Sequence, residues 1–263
     1  MSAIVGPPLG VVAFAARERA RTLLQRLPRR RVHVTLTADV AAFRTALRAA
    51  VVDAVIVELG PGEAPWHAAA LAAELGSAPW FGLAGWRAAD APAVDRAARM
   101  GLVDVLAEGV DDAALLPLVA RDAFTTRFAQ AFDDPPAVIR LTTPLQYKTW
   151  RLIVAAGGRP VTTSSLAAEL GVSREHLSRA FSADGAPNLK RVIDLVRLLA
   201  AATLAKNPLY DTGDVARVLD FASASHLATT TRRVVGLTPA SLSRLRAGEL
   251  AEHFARGHSR SRG

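Results

Sequence analysis

The sequence predicts an α/β domain followed by an all-α domain. Its 263 residues, 51% of them apolar, are enough to bury a core in each of two domains. Short apolar runs alternate with helical patterns up to residue 132, whereas the chain after the adjacent prolines Pro135 and Pro136 follows helical patterns throughout. We therefore expect an α/β domain at residues 1–132, a linker at 133–144, a helical domain at 145–250 and a basic tail at 251–263.

The first domain is expected to contain a parallel sheet with crossover helices. Five β-branched or apolar runs are strand candidates, and the segments between them carry apolar residues at helical spacing, as in Leu23, Leu24 and Leu27. The candidate strands are residues 9–14, 31–35, 53–58, 79–83 and 103–106.

A fifth helix is expected to begin with Asp111 and Asp112, whose carboxylates favour the positive end of a helix. The same helix is expected to continue through Phe124, Phe128 and Phe132, which recur at every fourth position. We interpret this aromatic stripe as core or interdomain packing, and the alternative is the seam of a homodimer.

The net charge of +8 lies entirely in the second half of the chain. Residues 1–142 contain 15 basic and 15 acidic residues, whereas residues 143–263 contain 17 and 9. A basic domain attached to a neutral one indicates a polyanionic partner, most often nucleic acid. A solubilising tail would account only for Arg256, Arg260 and Arg262.

Composition excludes several classes of function. The chain has no cysteine, which removes disulfides, thiolate metal sites and cysteine nucleophiles, and its six histidines show no metal-ligand spacing. No uncharged apolar stretch approaches the roughly 18 residues that span a bilayer, and no basic residue precedes the first apolar run. We expect a soluble, unexported, cytoplasmic protein with no cofactor, no metal and no membrane partner.

The second half contains two copies of one helical hairpin. Residues 162–181 predict a helix, a tight turn at Gly171 and a second helix capped by Ser173, the order found in helix-turn-helix units that insert their second helix into the major groove. The segment SREHLSRAF at 173–181 recurs as SASHLATTT at 223–231, with serine, histidine and leucine in register. A connecting helix opened by Asn188 is expected to hold both units on one face of DNA, about one helical turn or ~34 Å apart.

Four motifs in order make residues 145–246 resemble the DNA-binding domain of the AraC/XylS family of transcription regulators. The resemblance implies double-stranded DNA as the partner. Candidate protein partners are RNA polymerase and a second copy of the chain, which would bind through the first domain to form a homodimer. The motifs are LAAELGVSREHLSRAF (166–181), RLLAAATL (197–204), DVARVLDFASASHL (214–227) and GLTPASLSR (236–244).

The resemblance places base-reading side chains on the exposed positions of each second helix. Arginine can donate two hydrogen bonds to guanine and glutamate can accept one from cytosine, so the first unit has the chemistry for direct readout. The second unit carries short uncharged side chains there, so we expect weak readout, with Arg232 and Arg233 holding phosphates. The expected base contacts are Arg174, Glu175, Ser178 and Arg179 in the first unit and Ala224, Ser225 and Thr229 in the second.

Two positions of the second unit depart from the family pattern. Asp220 stands where the family usually has glycine, and Thr231 stands where it usually has an aromatic residue, which is expected to loosen the packing of that unit. The repeated His176 and His226 lie beside core leucines and are interpreted as structural rather than base-reading.

The first domain resembles the receiver of response regulators, a five-stranded flavodoxin-like fold. The resemblance rests on DAVIVE at 53–58 followed by Pro61, and on GLVDVL at 101–106. Receivers use a phosphoacceptor aspartate, a pair of Mg²⁺-binding acids, a hydroxyl and a lysine. In this sequence the four roles fall, in that order, on Glu58, Ala15 with Ala16, Ala84 and Glu108.

None of these residues can support phosphoryl transfer, because the carboxylates for Mg²⁺ and the neutralising cation are missing. We therefore expect a pseudo-receiver that is not an enzyme. Glu58 is interpreted as an ordinary strand-end glutamate, and the alternative is a permanent mimic of a phosphorylated aspartate. Regulation remains as the role of the domain, through self-association, protein contact or a small ligand at the carboxyl ends of the strands. Such a pocket could be lined by tryptophans, and the alternative is that they belong to the ordinary packing of the domain. The residues in question are Trp66, Trp80 and Trp86.

A sequence-specific transcription regulator is the preferred function. The short uncharged side chains of the second unit would also suit a nonspecific or protein-bridging DNA binder. A pocket in the first domain would suit a ligand-sensing regulator. An enzyme fused to a DNA-reading domain, such as an alkyl-transfer repair protein, lacks its usual cysteine acceptor here.

Overall fold

The computed structural model describes residues 7–85, 87 and 90–259, with side chains up to residue 256. The contacts divide the chain into two units. One contains residues 7–127 together with Asn207–Leu209, and the other contains residues 128–206 and the described residues from 210 onward. No helix in the described part of the chain is both long and apolar enough to cross a membrane.

The first unit contains a parallel five-stranded sheet in the order β2-β1-β3-β4-β5, which confirms the predicted α/β class. The inner strands β3 and β4 are buried along their whole length, as expected of strands covered on both faces. The strands are β1 (Leu9–Phe14), β2 (Val32–Thr37), β3 (Ala54–Glu58), β4 (Trp80–Ala84) and β5 (Asp104–Ala107). The helices are α1 (Glu18–Gln25), α2 (Val40–Leu47), α3 (Ala64–Leu75), α4 (Ala91–Arg99) and α5 (Leu115–Asp122).

The expected long fifth helix is wrong, because the chain breaks at Ala123. Helix α5 ends at Asp122, Ala123 has an extended ψ of 144°, and a separate helix α6 runs over Phe124–Ala131. Asp111 and Asp112 precede the helix and accept the backbone N–H groups of the β5–α5 turn instead.

Buried Asp53 explains this break. Its backbone oxygen accepts the N–H of Phe124 at 2.8 Å, and its carboxylate accepts the N–H of Thr125 at 3.0 Å and the Thr125 hydroxyl. The other carboxylate oxygen accepts the N–H of Gly10 at 2.7 Å. Asp53 therefore starts α6 as a distant N-terminal cap. Phe124 and Phe128 are buried within the chain, which favours the packing interpretation of the aromatic stripe.

The second unit is helical, as predicted. The segment expected as a linker contains a 3-10 helix at Ala137–Ile139, and Ile139 and Leu141 are buried. The segment expected as a basic tail continues a helix as far as Ser259. Phe254 of this segment is fully buried, so the segment packs through an apolar face instead of extending as a solvated tail. The helices are α7 (Pro144–Ala155), α8 (Thr163–Leu170), α9 (Arg174–Phe181), α10 (Leu189–Leu204), α11 (Thr212–Val218), α12 (Ala224–Val235), α13 (Pro239–Leu242) and α14 (Ala247–Ser259).

Candidate nucleic-acid interface and receiver-like site

Helices α8 and α9 form the first hairpin. Gly171 takes a left-handed φ of 67° and allows the N–H of Val172 to reach back to the oxygen of Ala167 at 3.0 Å. Ser173 then caps α9 by accepting the N–H of His176 at 3.1 Å. The turn and the cap lie where the sequence predicted them.

Helices α11 and α12 repeat this arrangement. Asp220 takes the left-handed position with a φ of 54°, and the N–H of Phe221 donates to the oxygen of Ala216 at 2.8 Å. Ser223 caps α12 through the N–H of His226 at 3.0 Å. The second turn has one more residue than the first, Ala222, so the caps lie 50 residues apart but the turn hydrogen bonds lie 49 apart.

Arg197 of α10 supports the aspartate that replaces the glycine of the family pattern. Its guanidinium donates to the oxygens of Leu219 and Asp220 at 2.8 and 3.2 Å and lies 3.9 Å above the ring of Phe221. Aspartate tolerates left-handed φ better than most residues, and the guanidinium satisfies the two carbonyls at the end of α11.

The predicted base-reading residues of α9 lie on its outer face. Arg174, Glu175 and Arg179 are exposed and Ser178 is half-buried, whereas Leu177 and Phe181 on the opposite side are fully buried. The two apolar residues fix the helix against the domain, and the charged residues face solvent.

The predicted contact residues of α12, namely Ala224, Ser225 and Thr229, are exposed as well. Thr231 is fully buried, and its hydroxyl donates to the oxygen of Leu227 at 2.7 Å. The threonine that replaces the family's aromatic residue therefore has its polar group satisfied inside its own helix.

The two arginines at the end of α12 differ in their surroundings. Both are exposed, but Arg233 donates to the carboxylate of Asp194 at 2.7 Å, whereas Arg232 has no ion-pair partner among the described side chains. Arg233 therefore has an intramolecular contact that the sequence pattern did not indicate.

The repeated histidines also differ. His226 Nδ1 accepts the N–H of Ala222 at 3.4 Å, and its ring lies edge-on to Phe221 with centroids 5.7 Å apart. These contacts favour the structural interpretation of His226. His176 is exposed.

The receiver-like site lies at the carboxyl end of β3. Glu58 is buried there, and its Oε2 accepts the N–H groups of Ala16 and Arg17 at 2.6 and 2.9 Å. The Arg17 guanidinium forms ion pairs with both Glu58 and Glu108. Burial alone would lower the pKa of Arg17, but the hydrogen bond and charge of Glu58, followed by those of Glu108, raise the pKa above its ordinary value.

Arg17 is a residue of this site that the sequence pattern did not indicate. This arginine directly follows the two alanines at the expected Mg²⁺ positions. The position of the receiver aspartate holds Glu58, and the position of the receiver lysine holds Glu108. The sequence signal for this ion pair was the combination of an arginine next to the Mg²⁺ positions with an acid at the lysine position. The residues of this site do not fit a divalent cation, because both carboxylates already pair with the Arg17 guanidinium, whose positive charge would repel the cation.

A cavity of about 320 Å³ opens beside this ion pair, lined by Phe14, Pro61, Pro65 and Asp90 among others. For Trp66 and Trp80 the packing alternative holds, because neither side chain lines this cavity. Trp66 is buried beneath the guanidinium of Arg96, 4.2 Å from the ring centre. Trp80 begins β4 at the amino ends of the strands, whereas the cavity lies at their carboxyl ends. Trp86 lies outside the described residues.

Residues 166–244, which include both turns and the helices α9 and α12, match the family model described as a helix-turn-helix domain. The domain is of the AraC type, as the order of the motifs predicted. The match, together with the receiver-like sheet, indicates a DNA-binding transcription regulator.

Two solved structures are similar to the chain. One is full-length FixJ from B. japonicum, with 18% identity and a TM-score of 0.40 over 76% of this chain and 98% of that chain. The other is a response regulator from Burkholderia pseudomallei, solved with a phosphorylated aspartic acid, a calcium ion and citrate, with 19% identity and a TM-score of 0.37 over 65% of this chain and 97% of that chain. No curated protein sequence matches the chain significantly.

Proposed function

We propose that this regulator is sequence-specific, that α9 supplies most of the base readout, and that α12 mainly positions the domain on the DNA backbone. The observation that carries the proposal is the contrast between two hairpins of the same backbone geometry. The predicted contact positions of α9 carry Arg174, Glu175 and Arg179, whereas those of α12 carry only short uncharged side chains. Such a regulator works where the chromosome lies, in the cytoplasm.

Base readout needs side chains that can reach the groove edge with donors and acceptors. Two arginines and a glutamate offer bidentate donors for guanine and an acceptor for cytosine, at roughly 1–3 kcal/mol for each good pair. Alanine, serine and threonine can contribute a thymine-methyl contact or a single hydrogen bond. Arg232 and Arg233, one turn further along α12, supply the charge for phosphates.

The test is a competition between specific and random DNA. The full chain would select duplexes from a random pool, and its affinity for the best sequence and for a scrambled duplex of equal length would be compared at one salt concentration. We expect the selected duplex to bind at least roughly 10³-fold more tightly. A ratio of the two affinities near one would favour a nonspecific or bridging binder. The uncharged contact positions of α12 support that alternative.

We also propose that the receiver-like domain works without phosphorylation. The Arg17 guanidinium supplies the positive charge that a metal ion and a lysine provide in a receiver, and Glu58 is already satisfied by two backbone N–H groups. Mg²⁺ with acetyl phosphate should therefore leave both the mass of the protein and its DNA affinity unchanged. A mass increase of one phosphoryl group would contradict this proposal.

Replacing Arg17 by alanine should destabilise the first domain, because two buried carboxylates would lose their counter-charge. The arginine side chain is 43% exposed, so we expect a loss of about 1–2 kcal/mol in the free energy of unfolding by urea, below the value for a fully buried pair. Arg19→Ala is the matched control, since Arg19 is 68% exposed and 3.7 Å from Glu108. Equal effects of the two substitutions would argue against the role given to Arg17.

The cavity beside Glu58 favours one further candidate, a regulator that senses a small ligand. Its volume of about 320 Å³ lies at the small end of the range for ligand pockets, and the carboxyl ends of parallel strands are the usual place for them. A compound that raises the melting temperature of the full chain and also changes its DNA affinity would support this function. A compound that raises the melting temperature without changing the DNA affinity would not support this function.

A further inference from the structure

The connecting helix α10 carries three charged side chains at positions i, i+3 and i+6, namely Arg191, Asp194 and Arg197, and each contacts a different part of the second half of the DNA-binding domain. We refer to them as the α10 charged stripe. Most other residues of α10 are buried and apolar. Charged side chains at this spacing share one face of a helix, so the stripe presents a single polar edge.

Arg197 contacts the turn that precedes α12. Its guanidinium bonds to the oxygens of Leu219 and Asp220 and covers Phe221, as described above. Burial lowers the pKa of Arg197, and the charges of Asp194 and Asp220 oppose this effect. The turn is therefore held to α10 just before the recognition helix begins.

Arg191 contacts the other end of α12. Its guanidinium donates to the oxygen of Val234 at 3.4 Å and to the oxygen of Phe254 in α14 at 3.0 Å, and it lies 4.6 Å from the centre of the Phe254 ring. These oxygens belong to the last turn of α12 and to α14, so one cation joins both helices to α10.

Asp194 lies between these two arginines and pairs with Arg233. Its side chain is only 12% exposed, so the carboxylate needs a charged or hydrogen-bonding partner. Arg233 supplies that partner at 2.7 Å while 55% of its own side chain stays exposed.

We propose that the α10 charged stripe orients the second hairpin for DNA and that Arg233 is a positioning residue rather than a phosphate contact alone. This inference rests on the proposed function. Contacts at both ends of α12 fix the direction of that helix relative to α10, whereas apolar packing alone permits small rotations. A hairpin with little base readout depends on this orientation, because its phosphate contacts succeed only if α12 meets the backbone at the correct place.

The two roles of Arg233 predict opposite results for Asp194→Asn. If Arg233 serves only as a phosphate contact, loss of the carboxylate frees the arginine and removes a negative charge, so DNA affinity rises. If the stripe orients α12, affinity for the selected duplex falls roughly five- to tenfold, as expected for coupled neighbouring groups. Asp194→Glu keeps the charge and should stay within about twofold of the parent protein.

Hydroxyl-radical footprints of the full chain on its selected duplex would locate the effect. The parent protein should protect two stretches of backbone about one helical turn apart, and Asp194→Asn should keep the α9 stretch and weaken or broaden the α12 stretch. Glu252→Gln is the matched control, because it removes one carboxylate from an exposed pair with Arg256 in the same domain without touching the stripe. Circular dichroism would establish that each variant is folded.

A folded Asp194→Asn variant with both protected stretches unchanged, or with increased affinity, would overturn the inference and leave the proposed function standing. A parent protein that selects no sequence and leaves no footprint would overturn the proposed function, and the inference with it.

Discussion

The two hairpins of the DNA-binding domain have similar backbone turns but different side chains at their predicted contact positions. Each has a left-handed residue, a hydrogen bond that reaches back over five residues and a serine cap three residues before a histidine. The first exposes charged side chains at its predicted contact positions, and the second exposes short uncharged side chains there, with Arg232 and Arg233 further along the helix. The turn geometry thus fixes where the second helix of each hairpin begins, and the side chains on its outer face vary independently of that geometry.

The hairpins also differ in what anchors them. The first is held by a neutral amide, since Gln146 of α7 is fully buried and donates to the oxygen of Phe181 at 2.8 Å while its Oε1 accepts the N–H groups of Thr142 and Thr143. The second is held by the α10 charged stripe. The first hairpin therefore has an anchor without charge, and the second hairpin has a charged one.

The largest expected effect tests the first anchor. Gln146→Leu keeps the approximate volume of the side chain but leaves two backbone N–H groups and the end of α9 without partners, so we expect a loss of about 3 kcal/mol in the free energy of unfolding. Urea denaturation of the full chain measures it. The matched change Arg197→Met, in the α10 anchor of the second hairpin, should cost less, because part of that guanidinium meets solvent. An equal loss for both variants would show that the two anchors do not differ in strength.

The next effect tests readout directly. Arg179 and Thr229 occupy equivalent positions 50 residues apart, so Arg179→Ala and Thr229→Ala form a matched pair. Arg179→Ala should cost about 1–3 kcal/mol of binding to the selected duplex and relax the preference at one base position. Thr229→Ala should cost under about 0.5 kcal/mol, as a surface change without a strong contact. Selection experiments on both variants would contradict the asymmetry if the two lost preference equally.

A smaller and different effect is expected at the end of α12. Arg232→Ala should weaken binding to all sequences by about 1.5 kcal/mol, because a charge-assisted contact to phosphate is lost without any base contact. The slope of log affinity against log salt should fall by about one. Titrations at four salt concentrations with selected and scrambled duplexes measure both quantities. A loss confined to the selected duplex would instead make Arg232 a base reader.

Patterns along the chain predicted those features that depend on neighbouring residues. The strands follow from apolar runs, and the exposure of Arg174 and Arg179 follows from the helical spacing of Leu177 and Phe181. Features that depend on one distant side chain were missed. The break before α6 depends on Asp53, more than seventy positions earlier, and the receiver-like ion pair depends on Arg17 meeting acids from two other segments. The partner of Arg233 likewise lies on another helix.

The smallest expected effect concerns the turns themselves. Gly171 and Asp220 both have positive φ, but only glycine adopts that conformation without steric cost. Gly171→Ala meets no neighbouring atom within 4 Å, so its expected loss of about 1 kcal/mol reports backbone strain alone. Asp220→Gly should relieve strain at the equivalent turn and change stability by less than about 0.5 kcal/mol, since glycine also loses more entropy on folding. Thermal unfolding of both variants measures the difference. Destabilisation of about 1 kcal/mol by Asp220→Gly would mean that the carboxylate of Asp220, through its charge on Arg197, contributes more to the turn than its backbone strain costs.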